Sequence, residues 1–171
     1  MNQAQPYTTF GVVPISTVTA STGLAFLQDM IARRHPAPPF AETTDIWITE
    51  AEHGRVMFEA APSPRFLNPL GTLHGGWVST LLDSAMGCAV HATLKPGYGY
   101  TTVDMAVTFV RAVLPSSGKL KCEGKIIHSG GRIATAEGRV LDAAGKLIAH
   151  GTETCMILKI PGSNDAASVI D

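Results

Sequence analysis

The stretch Asn68–Leu94, NPLGTLHGGWVSTLLDSAMGCAVHATL, constrains this chain more than any other. From His74 onward apolar or small residues occupy every side of a helix: Trp77, Val78, Leu81, Leu82, Ala85, Met86, Cys88, Ala89 and Val90. A helix without a wet face has to be wrapped by the rest of its domain. Thr72 or His74 would start it, and Gly75 and Gly76 would leave first-turn N–H groups uncovered by side chains, where partial positive charge favours an anion or a developing oxyanion. Lys95-Pro96-Gly97 would end it.

Asp83 is the single formally charged residue between His74 and Leu94, with no Lys or Arg within four positions, so no ion pair within the helix can hold it. Asp costs up to about 0.7 kcal/mol against Ala in a helix interior, and desolvating an unpartnered carboxylate costs several kcal/mol more. Either a distant residue supports Asp83 or it opens onto a cavity. His74 and Asp83, nine positions apart, are separated on one helix by about 13.5 Å and about 180°. A site that used both would be shared by two subunits, and a two-fold dimer would hold two such sites.

The flanking segments supply the wrapping. Residues 1–20 read as a surface tail or arm. Ser21 or Thr22 caps an amphipathic helix with Leu24, Leu27, Met30 and Ile31 in helical spacing, stopped by His35-Pro36. Thr43–Ala51 and Arg55–Ala60 form a hairpin through Glu52-His53-Gly54. After the central helix, Thr102–Arg111 alternates Val103, Met105, Val107 and Phe109 against polar or small partners. Strands follow at Lys119–His128, Ile133–Leu141 and Leu147–Leu158, with tight turns between them. Ala134, Ala136, Gly138 and Val140 share one face of the third of these four strands, small enough to let the sheet close on the helix. Strict β-α alternation is absent, so the fold class is α+β: a curved antiparallel sheet around a central apolar helix, with an extra N-terminal helix. The domain spans 21–160, and 161–171 reads as a disordered tail.

A net charge of −1 without clustered Lys or Arg excludes a nucleic-acid partner held on a basic surface. Three Gly, several hydroxyl residues and the central Asp argue that the apolar helix is a soluble core and not a membrane span. The first residues lack the pattern of a secretion signal. Cys88, Cys122 and Cys155 are read as reduced, buried thiols of a cytoplasmic protein. His53, His91, His128 and His150 lack ligand spacing, and no metal site is expected.

The architecture, with Asn68, Gly71, His74, Gly75, Gly76 and Asp83 at their spacings and Thr102-Val103-Asp104-Met105 beyond the helix, resembles the hot-dog-fold acyl-CoA thioesterases of the phenylacetate-pathway (PaaI-type) branch over roughly Gly23 to Leu158. That resemblance implies a hydrolase. The Gly75 N–H would polarise the thioester carbonyl, and Asp83 of the partner subunit would act as general base or nucleophile. Asn68 and His74 would orient the thioester and its water. On the substrate side, Gly76 and Thr102 lie beside the site, and Gly130, Gly131 and Arg132 occupy the turn that runs past the nucleotide of coenzyme A in relatives; Trp77 is expected to line the acyl pocket. The implied partners are the acyl-CoA substrate and a second copy of the chain, in a homodimer or a homotetramer built from two dimers. Coenzyme A enters as part of the substrate, without a separate cofactor. Two other readings remain: a non-catalytic acyl-CoA-binding module, and a hot-dog dehydratase or hydratase.

Overall fold

A computed structural model describes residues 6–161. Ten α-helices and β-strands follow in chain order among these residues: α1 (Ile15–Val18), α2 (Gly23–Ile31), α3 (Pro39–Thr44), β1 (Ile46–Glu52), β2 (Arg55–Ala60), α4 (Gly75–His91), β3 (Tyr98–Phe109), β4 (Leu120–Ser129), β5 (Ile133–Leu141) and β6 (Leu147–Lys159). The strands form one antiparallel sheet in the order β1-β2-β4-β5-β6-β3. α4 packs on all six of them. The expected α+β wrapping of a sheet around one apolar helix is what the chain adopts.

The close fit of helix to sheet comes from missing side chains. A Cβ on Gly124 of β4 would sit 2.1 Å from the Ala85 carbonyl oxygen, and one on Gly138 of β5 would sit 2.9 Å from Leu82 Cδ2 and Met86 Cγ. Around this contact Leu81, Leu82, Ala85, Met86, Ala89 and Val90 are wholly buried, together with Val56, Leu120, Cys122, Ala134, Ala136 and Val140 of the sheet. Their removal from water is the main stabilisation of the domain.

Three expectations are corrected. Thr43 and Thr44 belong to α3, not to the first strand: Pro39 occupies the first helical turn, where its fixed φ is favourable, and the chain leaves α3 through a left-handed Asp45 before β1 begins. Residues 6–20 do more than lie on the surface. Tyr7 is buried, Phe10 bridges Ala37, and a second small cluster of Tyr7, Ala37, Ala41 and Trp47 docks this arm against β1. Finally, β3 carries a bulge between Thr102 and Asp104. The extra residue shifts the alternation, so that Met105 and Val107 pack on the core as expected while Val103 turns outward, 56% exposed. The predicted tail from residue 162 onward lies outside the described residues. No helix among the described residues is long and apolar enough to cross a membrane.

Candidate active site

His74 is the N-cap of α4. Its Nδ1 accepts the Gly76 N–H at 2.9 Å, its carbonyl accepts the Trp77 N–H at 3.0 Å, and its own N–H donates to the Phe66 carbonyl at 2.8 Å. An accepting Nδ1 puts the ring proton of a neutral imidazole on Nε2. Of the two glycine amides, Gly76 is therefore occupied, and Gly75 alone has an N–H without a partner among the described residues. The Phe109 ring lies over Gly75, 3.2 Å from where a Cβ would stand.

Asn68 shapes the loop that leads into this helix start. Its Nδ2 donates to Thr72 Oγ1 at 2.8 Å, and its Oδ1 accepts the N–H groups of Leu70 (2.9 Å) and Thr72 (3.3 Å). Thr72 is thus Asn68's partner and not the helix cap.

Asp83 lies half-buried at mid-helix, and both options left open by the sequence are realised. Thr102 Oγ1 of β3 stands 3.2 Å from Asp83 Oδ1, while Oδ2 has no hydrogen-bond partner among the described residues. The same carboxylate lines an apolar cavity of about 390 Å³ together with Cys88, Tyr100, Tyr7, Phe40 and Phe58. The docked N-terminal arm, through Tyr7, and α3, through Phe40, thus help enclose the space in front of Asp83.

Behind Thr102 lies a residue that sequence reasoning missed. Glu153 of β6 is 1% exposed, and its Oε1 stands 2.8 Å from Thr102 Oγ1 and 3.0 Å from Cys155 Sγ. Burial holds its carboxyl above the usual carboxylate range, with the charge of Asp83 acting in the same direction. The available signal was the alternation of β6, where Gly151, Glu153 and Cys155 share the inward face. An acid at an inward strand position is costly unless it is neutral or paired. Burial also raises the Cys88 thiol to about 12, which leaves it protonated and a poor nucleophile.

The remaining expected positions are placed elsewhere. Trp77 is 7% exposed, stacks on Phe66 at 5.2 Å and donates its indole N–H to the Thr44 carbonyl at 2.8 Å. It fastens α3 to α4 and does not line the cavity beside Asp83. Gly130 and Gly131 border a recess of about 270 Å³ with Thr93 and Lys95, at the C-terminal end of α4 and remote from Gly75. Arg132 is exposed in the same turn. Within one chain, then, Thr102 and Asp83 meet, while Gly75 and the Gly130–Arg132 turn lie apart from them.

Known proteins resemble this chain in sequence and in fold. The family model described as the thioesterase superfamily matches residues 70–149. The human protein named acyl-coenzyme A thioesterase 13 is 30% identical over 110 residues, covering 64% of this chain and 77% of its own length. A phenylacetic acid degradation-related protein from Ralstonia eutropha superposes with a TM-score of 0.69 at 27% identity, over 76% of this chain and 98% of that one. The Escherichia coli PaaI protein shares the fold, with a TM-score of 0.69 at 17% identity over 84% of this chain and 98% of its own.

Proposed function

Because the chain belongs to the thioesterase superfamily, we propose that it hydrolyses acyl-CoA thioesters to the free acid and coenzyme A, at a site shared by two copies. The observation that carries this reading is the Asp83 carboxylate, half-buried on the wall of an apolar cavity, its Oδ2 without a hydrogen-bond partner among the described residues. An apolar acyl group fits such a cavity, and the free oxygen faces the reaction. As general base, Oδ2 takes a proton from water as the water oxygen bonds to the carbonyl carbon. The carbonyl oxygen becomes an oxyanion held by the open Gly75 N–H, where one well-placed donor is worth roughly 2.7–4 kcal/mol. When the C–S bond breaks, the proton passes to the departing thiolate. As nucleophile, the same oxygen would attack the carbonyl carbon directly and expel the coenzyme A thiolate, and water would cleave the resulting anhydride to the free acid and the Asp83 carboxylate, the released proton going to the thiolate. Neither route draws on a metal or organic cofactor.

Gly75 and Asp83 lie on α4 eight positions apart, about 12 Å of rise along one helix. One chain does not bring them together. β3 supports a way for two chains to do so: it is an unpaired sheet edge whose Thr102 touches Asp83 and whose Phe109 lies over Gly75. Two such edges pairing antiparallel about a two-fold between these positions would set residue 102 opposite residue 109 of the other copy, and so Asp83 opposite the second Gly75. His74 and Gly76 shape that helix start, and Asn68 orients its loop. We assign the Gly130–Arg132 turn to the nucleotide end of coenzyme A, brought there by assembly.

Asp83→Asn tests the reading. Thiol release from acyl-CoA substrates falls by about 10²–10⁴-fold, while acyl-CoA binding and the oligomeric state persist. Turnover near that of the wild type in this variant would refute the assignment.

A further inference from the structure

Thr102 Oγ1 stands between two carboxyl groups, 3.2 Å from Asp83 Oδ1 and 2.8 Å from Glu153 Oε1. Its hydroxyl carries one hydrogen, and both contacts are hydrogen bonds only if one of the acids is itself a donor. Which acid holds the proton follows from their surroundings. Asp83 is half-buried and borders the cavity, whereas Glu153 is 1% exposed and has no cationic partner among the described residues. Glu153 Oε2 is buried without a hydrogen-bond partner among the described residues. An orphaned oxygen is far cheaper on a neutral carboxylic acid, where it is a carbonyl, than on a carboxylate, where it carries charge. The Cys155 thiol, 3.0 Å from Oε1, completes the shell as a weak donor.

We infer that Glu153 is held as the neutral acid, that its Oε1–H donates to Thr102 Oγ1, and that Thr102 in turn donates its single hydroxyl hydrogen to Asp83 Oδ1. Glu153 is a positioning residue acting through Thr102. The chain of donors ties down one oxygen of Asp83, leaves Oδ2 directed at the reaction, and keeps a second negative charge away from it. Desolvation is the largest influence on the Glu153 carboxyl and raises it, outweighing the contacts with Cys155 and Thr102 that act the other way, and the charge of Asp83 adds to the rise. The groups facing Glu153 are Asp83 and Cys88 from α4, Tyr100 from β3 and Cys155 from its own strand, none of them cationic. This inference rests on the reading of Asp83 as the reacting carboxylate.

The test compares Glu153→Gln, whose amide keeps a donor and cannot ionise, with Glu153→Met, which fills the space without one. Glu153→Gln stays within about threefold of wild-type kcat, whereas Glu153→Met loses about tenfold or more with KM unchanged, the cost of a lost hydrogen bond to a charged-group network. Both fold, as judged by circular dichroism and thermal melting. Independently of activity, the infrared spectrum of wild-type protein at neutral pH shows a protonated carboxyl stretch that is absent from Glu153→Gln. Absence of that band in the wild type, equal impairment of the two variants, or full kcat in Glu153→Met each overturns the inference. A wild type without thioester hydrolysis, or an Asp83→Asn variant with full activity, overturns instead the reading on which it rests, and the infrared band still reports on Glu153.

Discussion

At the scale of single residues, two buried ionisable groups are hidden from sequence reasoning for the same reason. Glu153 and His91 are polar residues in apolar surroundings; the alternation of β6 puts Glu153 on the face of Gly151 and Cys155, but only the packing of helix on sheet closes that face over. His91, at the end of α4, packs against the Phe26 and Tyr100 rings at 5.9 and 5.8 Å, and its Nδ1 is buried without a hydrogen-bond partner among the described residues. Burial lowers its pKa from the ordinary 6.5 to about 4. The unfolded chain therefore takes up a proton between these values that the native fold refuses. The stabilising contribution is fully present above pH 6.5 and is lost as the pH falls towards 4. At about 1.36 kcal/mol per pH unit this amounts to roughly 3 kcal/mol. Urea denaturation across that range should show the loss in the wild type, and His91→Leu should flatten that part of the curve. Asp83, Gly75 and His74, by contrast, were legible as candidates, because an isolated acid in an apolar helix and a glycine pair at its start are anomalies visible in the sequence itself.

At the scale of elements, helix and strand positions follow from periodicity, which is local, but the closeness of their packing does not. Gly124 and Gly131 read alike in sequence. A Cβ on Gly124 would meet the backbone of Ala85 at 2.1 Å, whereas one on Gly131 meets nothing within 4 Å. Gly124→Ala should push α4 off the sheet and cost about 1–3 kcal/mol or more, while Gly131→Ala should stay within about 0.5 kcal/mol of the wild type. Equal unfolding midpoints for the two variants would contradict this account of the helix–sheet contact. The β3 bulge is of the same kind. Strict alternation predicts Val103 inside, and the extra residue turns it out while leaving Thr102 facing Asp83.

At the scale of the whole molecule, the proposed shared site makes a prediction that no single chain can mimic. Gly75 is the first residue of α4, preceded by an extended His74, so proline there deletes the N–H while suiting the helix start. Gly75→Pro and Asp83→Asn should each be inactive alone. Co-refolded in equal amounts, half the dimers would be mixed and each would hold one intact site, restoring about a quarter of wild-type activity. A mixture as inactive as its components would mean that the site is not built across two copies.

What the residues alone determined was the plan of the domain: one apolar helix that had to be enclosed, strands of the right number to enclose it, and one acid stranded at its centre. Those are consequences of hydrophobic period and turn chemistry within short windows of chain. Tertiary structure decided the surroundings of that acid. Thr102 meets Asp83 across 19 positions of sequence and meets Glu153 across 51, and Tyr7 reaches the same cavity from the N-terminal arm. Such meetings depend on strand register, a bulge and the docking of a distant segment. Their energies arise from contacts between parts of the chain that carry no mark of one another until the fold brings them together.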